Sequence, residues 1–448
     1  MSAYISKVLE QSDDARDIAD DLYASQLSID LAGLAFNSKI VPLANVSLGD
    51  GIGNQSIGLE SRRTNEFGTT LAIGVQSSKL TSDNITINNP YNSKVFVRVT
   101  QGLFRRWGRK YNRHTLTLAE LDYQIQSIRA QSRGQNLLLE ATRRYYAVSL
   151  ADLLLTKSLS GAQRSAGHLD AASSRHRVGL VSKSDVYRAE LANLQAQRAV
   201  ADRRRVLRRE MELFHELLAL PQADRYKPSQ TIDVMTALVP VDWQDSVLES
   251  RFDWQQHLLE VERNKLSVYR AKSDIDPDVN VSLLVEQEGF GDDYDTSSNL
   301  DETNWSLNVD VRTTFSQDEE KNALARQRLA YSRRIREGEA LKRHVFRDVR
   351  DAFDEVDIQN TRYISAVAAS RQAELALDLS EYLYNKGASS NLEVLDAESA
   401  LTDAEVDQFR SLVNYNLAVT KLGLSLGLLT PEWMQSLFVP LHEGESDG

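Results

Sequence analysis

The side chains that could take part in chemistry are scattered along this sequence. Its seven histidines form no His-x-x-x-His pair, and the two nearest helical pairs, Glu212 with His215 and His257 with Glu260, would each give a metal only two ligands. No serine lies in a nucleophile elbow, and no other catalytic pattern of serine, histidine and acid is present. The sequence therefore predicts no enzyme, no cofactor and no metal centre.

Two further segments have the composition of a binding site but not its spacing. Gly49, Gly51 and Gly53 alternate as glycines do in a phosphate-binding loop, yet no helix follows and the spacing is not that of a dinucleotide site. The acidic segment 292–302 could hold calcium or lipid-bridging cations, yet its spacing is not that of an EF-hand. A turn and a solvated external loop are the simpler interpretations.

The composition of the chain argues against several classes of protein. A net charge of −12 disfavours a nucleic-acid partner, because a phosphate backbone selects clustered Lys and Arg. The absence of cysteine leaves no residue for a disulfide, a thiolate metal site or a lipid-modified cysteine. No run of about 18 apolar residues predicts a transmembrane helix, whereas a strand of a membrane barrel needs only about ten alternating residues. Polar sequence follows Met1 directly, so we expect no signal peptide in this numbering.

Helical periodicity dominates the sequence. Apolar residues recur at three- and four-residue steps without proline over 109–177 and over 317–386, which predicts two helices of about 70 residues and roughly 100 Å each. Shorter helices are predicted over 3–36, 184–219, 243–272 and 391–428. Two short helices laid end to end match one long helix, which favours a hollow barrel of coiled helices over a globular bundle.

Strand-like stretches lie between the helices. Partial alternation and enrichment in Val, Ile, Thr and Phe predict strands over 41–48, 70–76, 94–101, 278–286 and 305–314. They fall in two β regions, 42–104 and 277–315, so each half of the chain contains at least one long hairpin. The first region is about 24 residues longer, which allows either an extended external loop or an additional pair of strands.

The two halves of the chain repeat each other. Seven residues around one glycine recur 208 positions later, with six identities and one acidic exchange. The first set is Gly179, Ser182, Asp185, Val186, Ala189, Glu190 and Ala192, and the second is Gly387, Ser390, Glu393, Val394, Ala397, Glu398 and Ala400. We predict two structural repeats, 1–221 and 222–448, each with a helix, a β-hairpin, a long helix, a tight turn and a return helix.

The tight turns of the repeat have a physical explanation. Gly179 and Gly387 can take the left-handed conformation that ends a helix, so they mark the tips of two helical hairpins. Ser182 and Ser390, each with an acid three residues later, can cap the returning helices. Because both long helices run away from their β-hairpins, we expect both tips at one end of the molecule, roughly 100 Å from the strands.

These features resemble the TolC family of outer-membrane efflux and secretion channels over nearly the whole chain. The motifs are the two tips, HRVGLVSKSDV at 176–186 and YNKGASSNLEVLDA at 384–397, the segment Thr100–Phe104 where a strand passes into a long helix, and the strand entrances at Pro42 and Pro277. Their order and duplication make the match specific, rather than any one motif.

The resemblance implies a fold that is mainly α with β. Each protomer of a homotrimer would give four strands to a twelve-stranded transmembrane β-barrel, and its coiled helical hairpins to a long-helix α-barrel. Trimerisation agrees with the physics of the strands, because two hairpins from one chain cannot close a barrel and would leave edge strands unpaired.

The resemblance also implies a gate where the tunnel narrows at the tips. By position, its acids are Glu393 and Asp396, with Tyr384, Ser184 and Asp185 as partners in the constriction. Three copies of each acid would concentrate negative potential in a narrow pore and favour cations. Helix capping and dipole complementarity are the alternative roles of these acids, and their position at the tips favours a gate. Some family members carry an arginine two residues after the tip glycine, and Ser389 here departs from the pattern that gives a gate-locking salt bridge.

We therefore expect a porin-like channel in the bacterial outer membrane, with its helical tunnel in the periplasm, as a passive exit duct for efflux or type I secretion. The expected partners are two further copies of the chain, outer-membrane lipid, a periplasmic adaptor (membrane fusion) protein and an inner-membrane transporter. The transporter would supply the energy, because this chain has no nucleotide-binding motif. The alternative is a non-porous periplasmic coiled-coil scaffold. Alternating strand pairs at matched positions favour the channel, since a soluble scaffold has no use for them.

Overall fold

The computed structural model of this protein describes most of the chain. The described residues are 1–49, 52–82, 86–219, 228, 232–236, 243–313 and 316–437. Three features of the sequence interpretation lie outside them. These are Gly51 of the glycine triplet, the boundary of the predicted repeats at 221 and 222, and positions 314 and 315 at the end of the second β region.

The chain divides into two compact units. Unit 1 contains Met1–Asp20, Ile128–Gln255 and Ala340–Gly448, and unit 2 contains Asp21–Ser127 and Gln256–Glu339. Each unit takes segments from both halves of the sequence, so neither unit coincides with a predicted repeat. Unit 1 holds the hairpin tips and the largest apolar core, and unit 2 holds the β-sheet.

Two long helices make up much of the described chain. Helix α4 spans His114–Arg177 and helix α9 spans Asp318–Asn385, so both lie within a few residues of the predicted bounds. A short helix, α3 at Arg109–Asn112, precedes α4. The long helices lack proline and are rich in Ala, Leu, Arg, Gln and Glu, which are strong helix formers. None of the described helices combines the length and the apolar composition needed to cross a membrane.

Two of the shorter predicted helices are broken in the structure. The shorter helices are α1 (Ser2–Gln11), α2 (Asp13–Gly33), α5 (Lys183–Leu217), α6 (Trp243–Ser250), α7 (Phe252–Ser273), α8 (Tyr294–Ser297), α10 (Asn391–Ser425) and α11 (Pro431–Ser436). The predicted helix 3–36 divides at Ser12, and 243–272 divides at Arg251. The hydroxyl of buried Ser12 accepts a hydrogen bond from the Ala15 N–H at 3.1 Å, so it begins a new helix.

Unit 2 contains one antiparallel sheet of six strands in sequence order. They are β1 (Lys39–Gly49), β2 (Ile52–Thr64), β3 (Thr69–Ser82), β4 (Tyr91–Phe104), β5 (Asp278–Gly291) and β6 (Glu302–Arg312). The expectation of four strands per protomer is therefore wrong for this chain. The long first β region forms an additional hairpin, β2–β3, because its backbone groups can all pair within the sheet, whereas a long loop would leave them to solvent.

The two faces of this sheet have opposite character. Side chains alternate along a strand, so the pairing register assigns each residue to one face. The apolar face carries Ile40, Pro42, Ala44, Val46 and Leu48 of β1, Ile57 and Leu59 of β2, Leu71, Ile73 and Val75 of β3, Val95, Val97, Val99 and Leu103 of β4, Val279, Val281, Leu283 and Val285 of β5, and Trp305, Leu307, Val309 and Val311 of β6. The polar face carries mostly Asn, Ser, Thr, Gln and charged residues, among them Glu60, Arg62, Lys94, Arg98 and Glu286.

The largest apolar core lies in unit 1 and joins α1, α4, α5 and α10. Tyr4 stacks on Phe214 with ring centroids 4.0 Å apart, and the Tyr146 ring is fully enclosed. Buried Asn416 of α10 donates from its amide to the Tyr146 hydroxyl at 3.2 Å. A hydrogen-bonded polar group of this kind fixes how the surrounding helices pack, because a shift would leave it unpaired.

Candidate functional site

The first hairpin tip in unit 1 ends helix α4 with a glycine. Gly179 has a φ of +77°, a left-handed conformation that glycine adopts without strain. Its N–H donates to the His176 carbonyl at 3.0 Å, and the N–H of Leu180 donates to the Arg175 carbonyl at 2.9 Å. This pair of hydrogen bonds satisfies the last carbonyls of the helix and turns the chain back towards α5.

The second hairpin tip, at the end of α9, uses the same turn. Gly387 also has a φ of +77°, and its N–H donates to the Tyr384 carbonyl at 3.1 Å. The N–H of Ala388 donates to the Leu383 carbonyl at 2.9 Å. The two tips thus have matching backbone geometry at positions 208 residues apart in the sequence.

A reciprocal cap between Ser182 and Asp185 begins helix α5. The Ser182 hydroxyl accepts from the Asp185 N–H at 3.2 Å, and the Asp185 carboxylate accepts from the Ser182 N–H at 3.0 Å. Hydrogen bonds from Ser182 hold the pKa of the Asp185 carboxyl below its ordinary value. The ionised Asp185 carboxylate therefore stabilises the fold at pH values above the ordinary pKa of an aspartate. This stabilisation is lost as the pH falls through the lowered pKa of Asp185 in the folded chain.

The cap at the second tip is different. The Ser390 hydroxyl accepts from the Glu393 N–H at 3.3 Å, as at the first tip. The Glu393 carboxylate, however, accepts from the Ser389 hydroxyl instead of the Ser390 N–H. Ser389 occupies the position at which some TolC-family sequences carry arginine. A neutral hydroxyl thus holds Glu393 against its own turn, and no guanidinium competes for it there.

Tyr384 lies inside the second hairpin rather than on its surface. Its ring packs with Leu377 and Val394, and the Arg175 guanidinium of α4 lies over it at 4.1 Å from the ring centroid. Arg175 also donates to the side-chain oxygen of Asn385 at 3.3 Å. The Tyr384 hydroxyl is buried and has no hydrogen-bond partner among the described residues. A buried hydroxyl without a partner costs free energy, which another molecule could recover by supplying an acceptor or a donor.

The remaining predicted gate residues, Ser184 and Asp396, are exposed. Their side chains make no hydrogen bond or ion pair within the described part of the chain. Asp185 serves its own helix cap, and no described hydrogen bond joins it to Tyr384. The structure therefore places the predicted residues around the two tips but does not link the tyrosine to the Ser184 and Asp185 pair.

Three contacts that the sequence interpretation missed tie α4 to α10. Lys157 Nζ lies 2.6 Å from Glu405 Oε1, and Arg164 Nε lies 3.2 Å from Glu398 Oε1. His168 Nε2 lies 3.9 Å from the other carboxylate oxygen of Glu398, whose side chain is only 10% exposed. Removing one partner from such a shielded pair is costly, because a buried charge is left without compensation.

A sequence signal for the Glu398 contact did exist. Glu398 is one of the repeated residues, and its counterpart in the first half is Glu190. Glu190 lies exposed on α5, whereas Glu398 is enclosed by Arg164 and His168. The repeat therefore marked the position, but only the packing of α4 against α10 shows what the second glutamate binds.

The tips can act electrostatically. Asp185 and Glu393 place carboxyl groups on the first turns of the two return helices, and Asp396 places a third on the second turn of α10. Among the described residues, no three His, Cys, Asp or Glu side chains converge as metal ligands. Several copies of these carboxyls around one opening would attract cations and repel anions.

The fold is shared with solved outer-membrane channels. The outer-membrane channel OprN superimposes with a TM-score of 0.75 and 16% identity, over 95% of this chain and 89% of that one. VceC from Vibrio cholerae superimposes with a TM-score of 0.72 and 14% identity, over 95% of both chains. The open state of the MtrE channel from Neisseria gonorrhoeae superimposes with a TM-score of 0.73 and 16% identity, over 96% of this chain and 89% of that one.

The sequence itself matches no protein-family model and no curated protein. At identities of this size the likeness establishes the fold. It confirms the resemblance that the tips and strand entrances predicted, and it extends over nearly the whole chain: this protein has the fold of the TolC-family outer-membrane channels.

Proposed function

We propose that three copies of this chain form an outer-membrane channel that gives cargo a passive exit. The observation that carries the proposal is the apolar face of the sheet. On this face Leu48 is 80% exposed, Ile40 74% and Trp305 73%. Soluble monomers rarely expose continuous apolar patches of more than a few hundred Å². A lipid environment on one face and water on the other explains why the apolar residues of all six strands concentrate at the middle of one face.

The apolar face forms an oblique band, as expected for strands tilted in a membrane. The centre of the band in β1 is Ala44, which the pairing register aligns with Ser77 of β3. In β6 the centre lies between Leu307 and Val309, a level that the register aligns with Thr70 of β3. From β1 to β6 the centre of the band thus moves seven residues along the strand direction, which is about 23 Å. Across the sheet the same two strands are five strand spacings apart, which is about 24 Å. A level band therefore needs a strand tilt of about 44°, close to the roughly 35–45° of closed membrane sheets.

The open edges of the sheet support association between copies. Among the described strands, β1 and β6 each pair on one side only, so each leaves a row of backbone groups for another strand. The two edges run in opposite directions, because β1 and β6 are the first and last of six successive antiparallel strands. Strand β6 of one copy can therefore pair antiparallel with β1 of the next, and a ring of copies satisfies every edge.

The hairpin tips supply the gate in this proposal. Glu393, Asp396 and Asp185 give the opening a cation preference. The Tyr384 hydroxyl, which its own hairpin encloses in the isolated chain, reaches a partner on a neighbouring copy when the tip rearranges to close the gate. A periplasmic adaptor and an inner-membrane transporter open the gate and drive the cargo, in efflux or in type I secretion. The absence of a nucleotide-binding motif in the sequence supports an external energy source.

Single-channel recording of the purified, signal-directed protein in a planar bilayer tests this function. We expect discrete, cation-selective openings from a trimer of the 50.4-kDa chain. A non-porous periplasmic scaffold predicts a different result. After signal-directed export it would be recovered as a soluble monomer without detergent, and a bilayer would stay silent.

A further inference from the structure

We infer that this channel has a wider outer-membrane exit than the twelve-stranded barrel that the family resemblance implies. Six strands in each of three copies give a ring of eighteen, because the hairpin β2–β3 is part of the wall. The inference rests on the proposed trimeric channel. It concerns the size of cargo that the exit admits, not whether the chain forms a channel.

The outer surface of the inserted hairpin continues the apolar band. Ile57 and Leu59 of β2 and Ile73 and Val75 of β3 lie on the apolar face, and Ile57 is 67% exposed. The centre of the band moves in one direction from β1 through β2 and β3 to β4, with no step at the hairpin. An external loop folded against the sheet would have no reason to keep this tilt.

The inner surface of the hairpin is also built as part of the wall. Glu60 of β2 lies on the polar face, 3% exposed, and Arg62 binds it at 2.6 Å. Next to Glu60, Gly74 of β3 has no side chain, and the Phe96 ring of β4 fills that space. Neighbouring strands are thus matched in shape as well as in hydrogen bonding, which a loosely attached ribbon does not need.

The turn between β2 and β3 is fixed to the start of the long-helix segment. Glu66 in this turn lies 2.6 Å from the Arg109 side chain and 3.3 Å from that of Arg113. Asn65 accepts hydrogen bonds from the N–H groups of Phe67 and Thr69 and so shapes the turn. The hairpin is therefore held at its turn as well as along both of its strands.

The diameter of a closed sheet grows roughly in proportion to the number of strands at a given tilt. Eighteen strands in place of twelve would therefore make the exit about 1.5 times as wide and its cross-section about twice as large. Solutes that a twelve-stranded ring would exclude can then leave through this one. The inserted hairpin sets the size limit of the exit, whereas the tips control what enters the tunnel.

Size-graded labelling can measure the exit, because the chain has no cysteine of its own. A single cysteine at Asn308, on the polar face of β6, is treated with maleimide–polyethylene glycols of increasing mass in the assembled channel. The matched control is Leu307→Cys, one residue away on the apolar face. A second protein carries Asn308→Cys and lacks residues 52–82. In this deletion protein β1 can pair antiparallel with β4, because β4 runs in the same direction as β2. The apolar and the polar face of the sheet are then preserved, since β4 carries its apolar residues on the same face as β2.

We expect the full-length channel to admit reagents of clearly larger hydrodynamic radius than the deletion channel, about 1.5-fold in radius if width alone decides. Equal size limits in the two channels would overturn the inference, while their openings in a bilayer would leave the proposed function intact. Labelling of Leu307→Cys as fast as Asn308→Cys would instead contradict the lipid-facing and water-facing assignment itself.

A measurement on the intact chain covers the case in which the deletion protein does not assemble. Ser56 and Ile57 are neighbours in β2 on the polar and the apolar face. We expect a water-soluble maleimide to label Ser56→Cys at least tenfold faster than Ile57→Cys in the assembled channel. Equal rates would show that both faces of the hairpin meet water, so the hairpin would not belong to the wall and the wider exit would be refuted.

Discussion

Glu393 and Asp396 differ in what restrains their carboxylates, although both lie within the first two turns of α10. Ser389 donates to the Glu393 carboxylate, whereas Asp396 has no hydrogen-bond partner among the described residues. An unrestrained carboxylate can turn towards a passing ion at little cost. We therefore expect Asp396 to contribute more to ion selection than Glu393.

Neutral substitutions test this ranking. Asp396→Asn should reduce the preference for cations over anions several-fold, and Glu393→Gln should reduce it less, because fewer charges line the opening. The reversal potential in a salt gradient across a planar bilayer measures the preference. Asp202→Asn is the control, since it removes an exposed acid of α5 about 25 Å along the helix from Asp185. Unchanged selectivity in both tip variants would remove these acids from the gate.

Tyr384 offers a second test at the residue scale. Its hydroxyl has no partner among the described residues, so Tyr384→Phe should not lower the thermal stability of the isolated chain, and should raise it if about 1 kcal/mol of desolvation is relieved. In the proposed channel the same change would remove the hydrogen bond that we propose holds the gate shut. We expect a larger open probability, measured in the bilayer. Lower chain stability together with normal gating would assign Tyr384 to packing alone.

At the scale of elements, the helices were easier to predict than the strands. Apolar periodicity over many turns located α4 and α9 to within a few residues, because each turn repeats the same signal. The break at Ser12 was missed, since a single capping side chain decides it, and the break at Arg251 left no pattern in the apolar periodicity.

Strand β2 was missed for a different reason. Its sequence, Ile52–Thr64, contains Gly53 and Gly58 and places polar Gln55 and Arg63 on the apolar face. Only Ile57 and Leu59 show the alternation that predicts a strand. The strand is stabilised by its neighbours β1 and β3, which no local pattern reveals.

The tip residues were located by their sequence repeat, but their contacts were not. The spacing of Gly179 and Gly387 predicted where the chain turns, because the left-handed conformation favours glycine. The stacking of Arg175 on Tyr384 and the pairing of Arg164 with Glu398 depend on which helices pack together. A sequence without aligned relatives carries no record of such pairs.

Two helical glycines form a matched pair for testing element stability. Gly134 in α4 has open space where a side chain would lie, so Gly134→Ala should stabilise the helix by about 0.5–1 kcal/mol. At Gly338 in α9 a Cβ would collide with the His257 ring of α7, so Gly338→Ala should destabilise the protein. Thermal unfolding followed by circular dichroism measures both effects. Stabilisation by Gly338→Ala would show that His257 moves aside freely.

At the scale of the whole molecule, the slope of the apolar band predicts how neighbouring copies meet. The strand next to β6 in a ring would be β1 of the neighbouring copy, and the centre of the apolar band in β1 is Ala44. If the band keeps the same slope across this junction, Ala44 of the neighbouring copy lies opposite Val309. Both positions lie on the apolar face, as a directly opposed pair requires. Opposed residues of antiparallel strands have Cα atoms about 4.5–5.5 Å apart, within reach of a disulfide.

A cysteine pair tests this junction. Ala44→Cys combined with Val309→Cys should give disulfide-linked dimers and trimers on mild oxidation, and Leu48→Cys combined with Val309→Cys should not. The control shifts one partner by four residues, about 13 Å along β1. Denaturing gels without reductant show the products. Strong cross-linking in the control alone would refute the predicted register, and no cross-linking in any such pair would refute closure through β1 and β6.

The placement of the additional hairpin has a consequence for how such channels evolve. One hairpin contributes one strand in each direction, so the first and last strands of the chain remain antiparallel whatever number of hairpins lies between them. In the proposed channel, a single insertion in the gene between the codons for β1 and β4 would thus enlarge the bore without any matching mutation where subunits meet. Bore size can therefore diverge among related channels while the gate residues stay under separate selection.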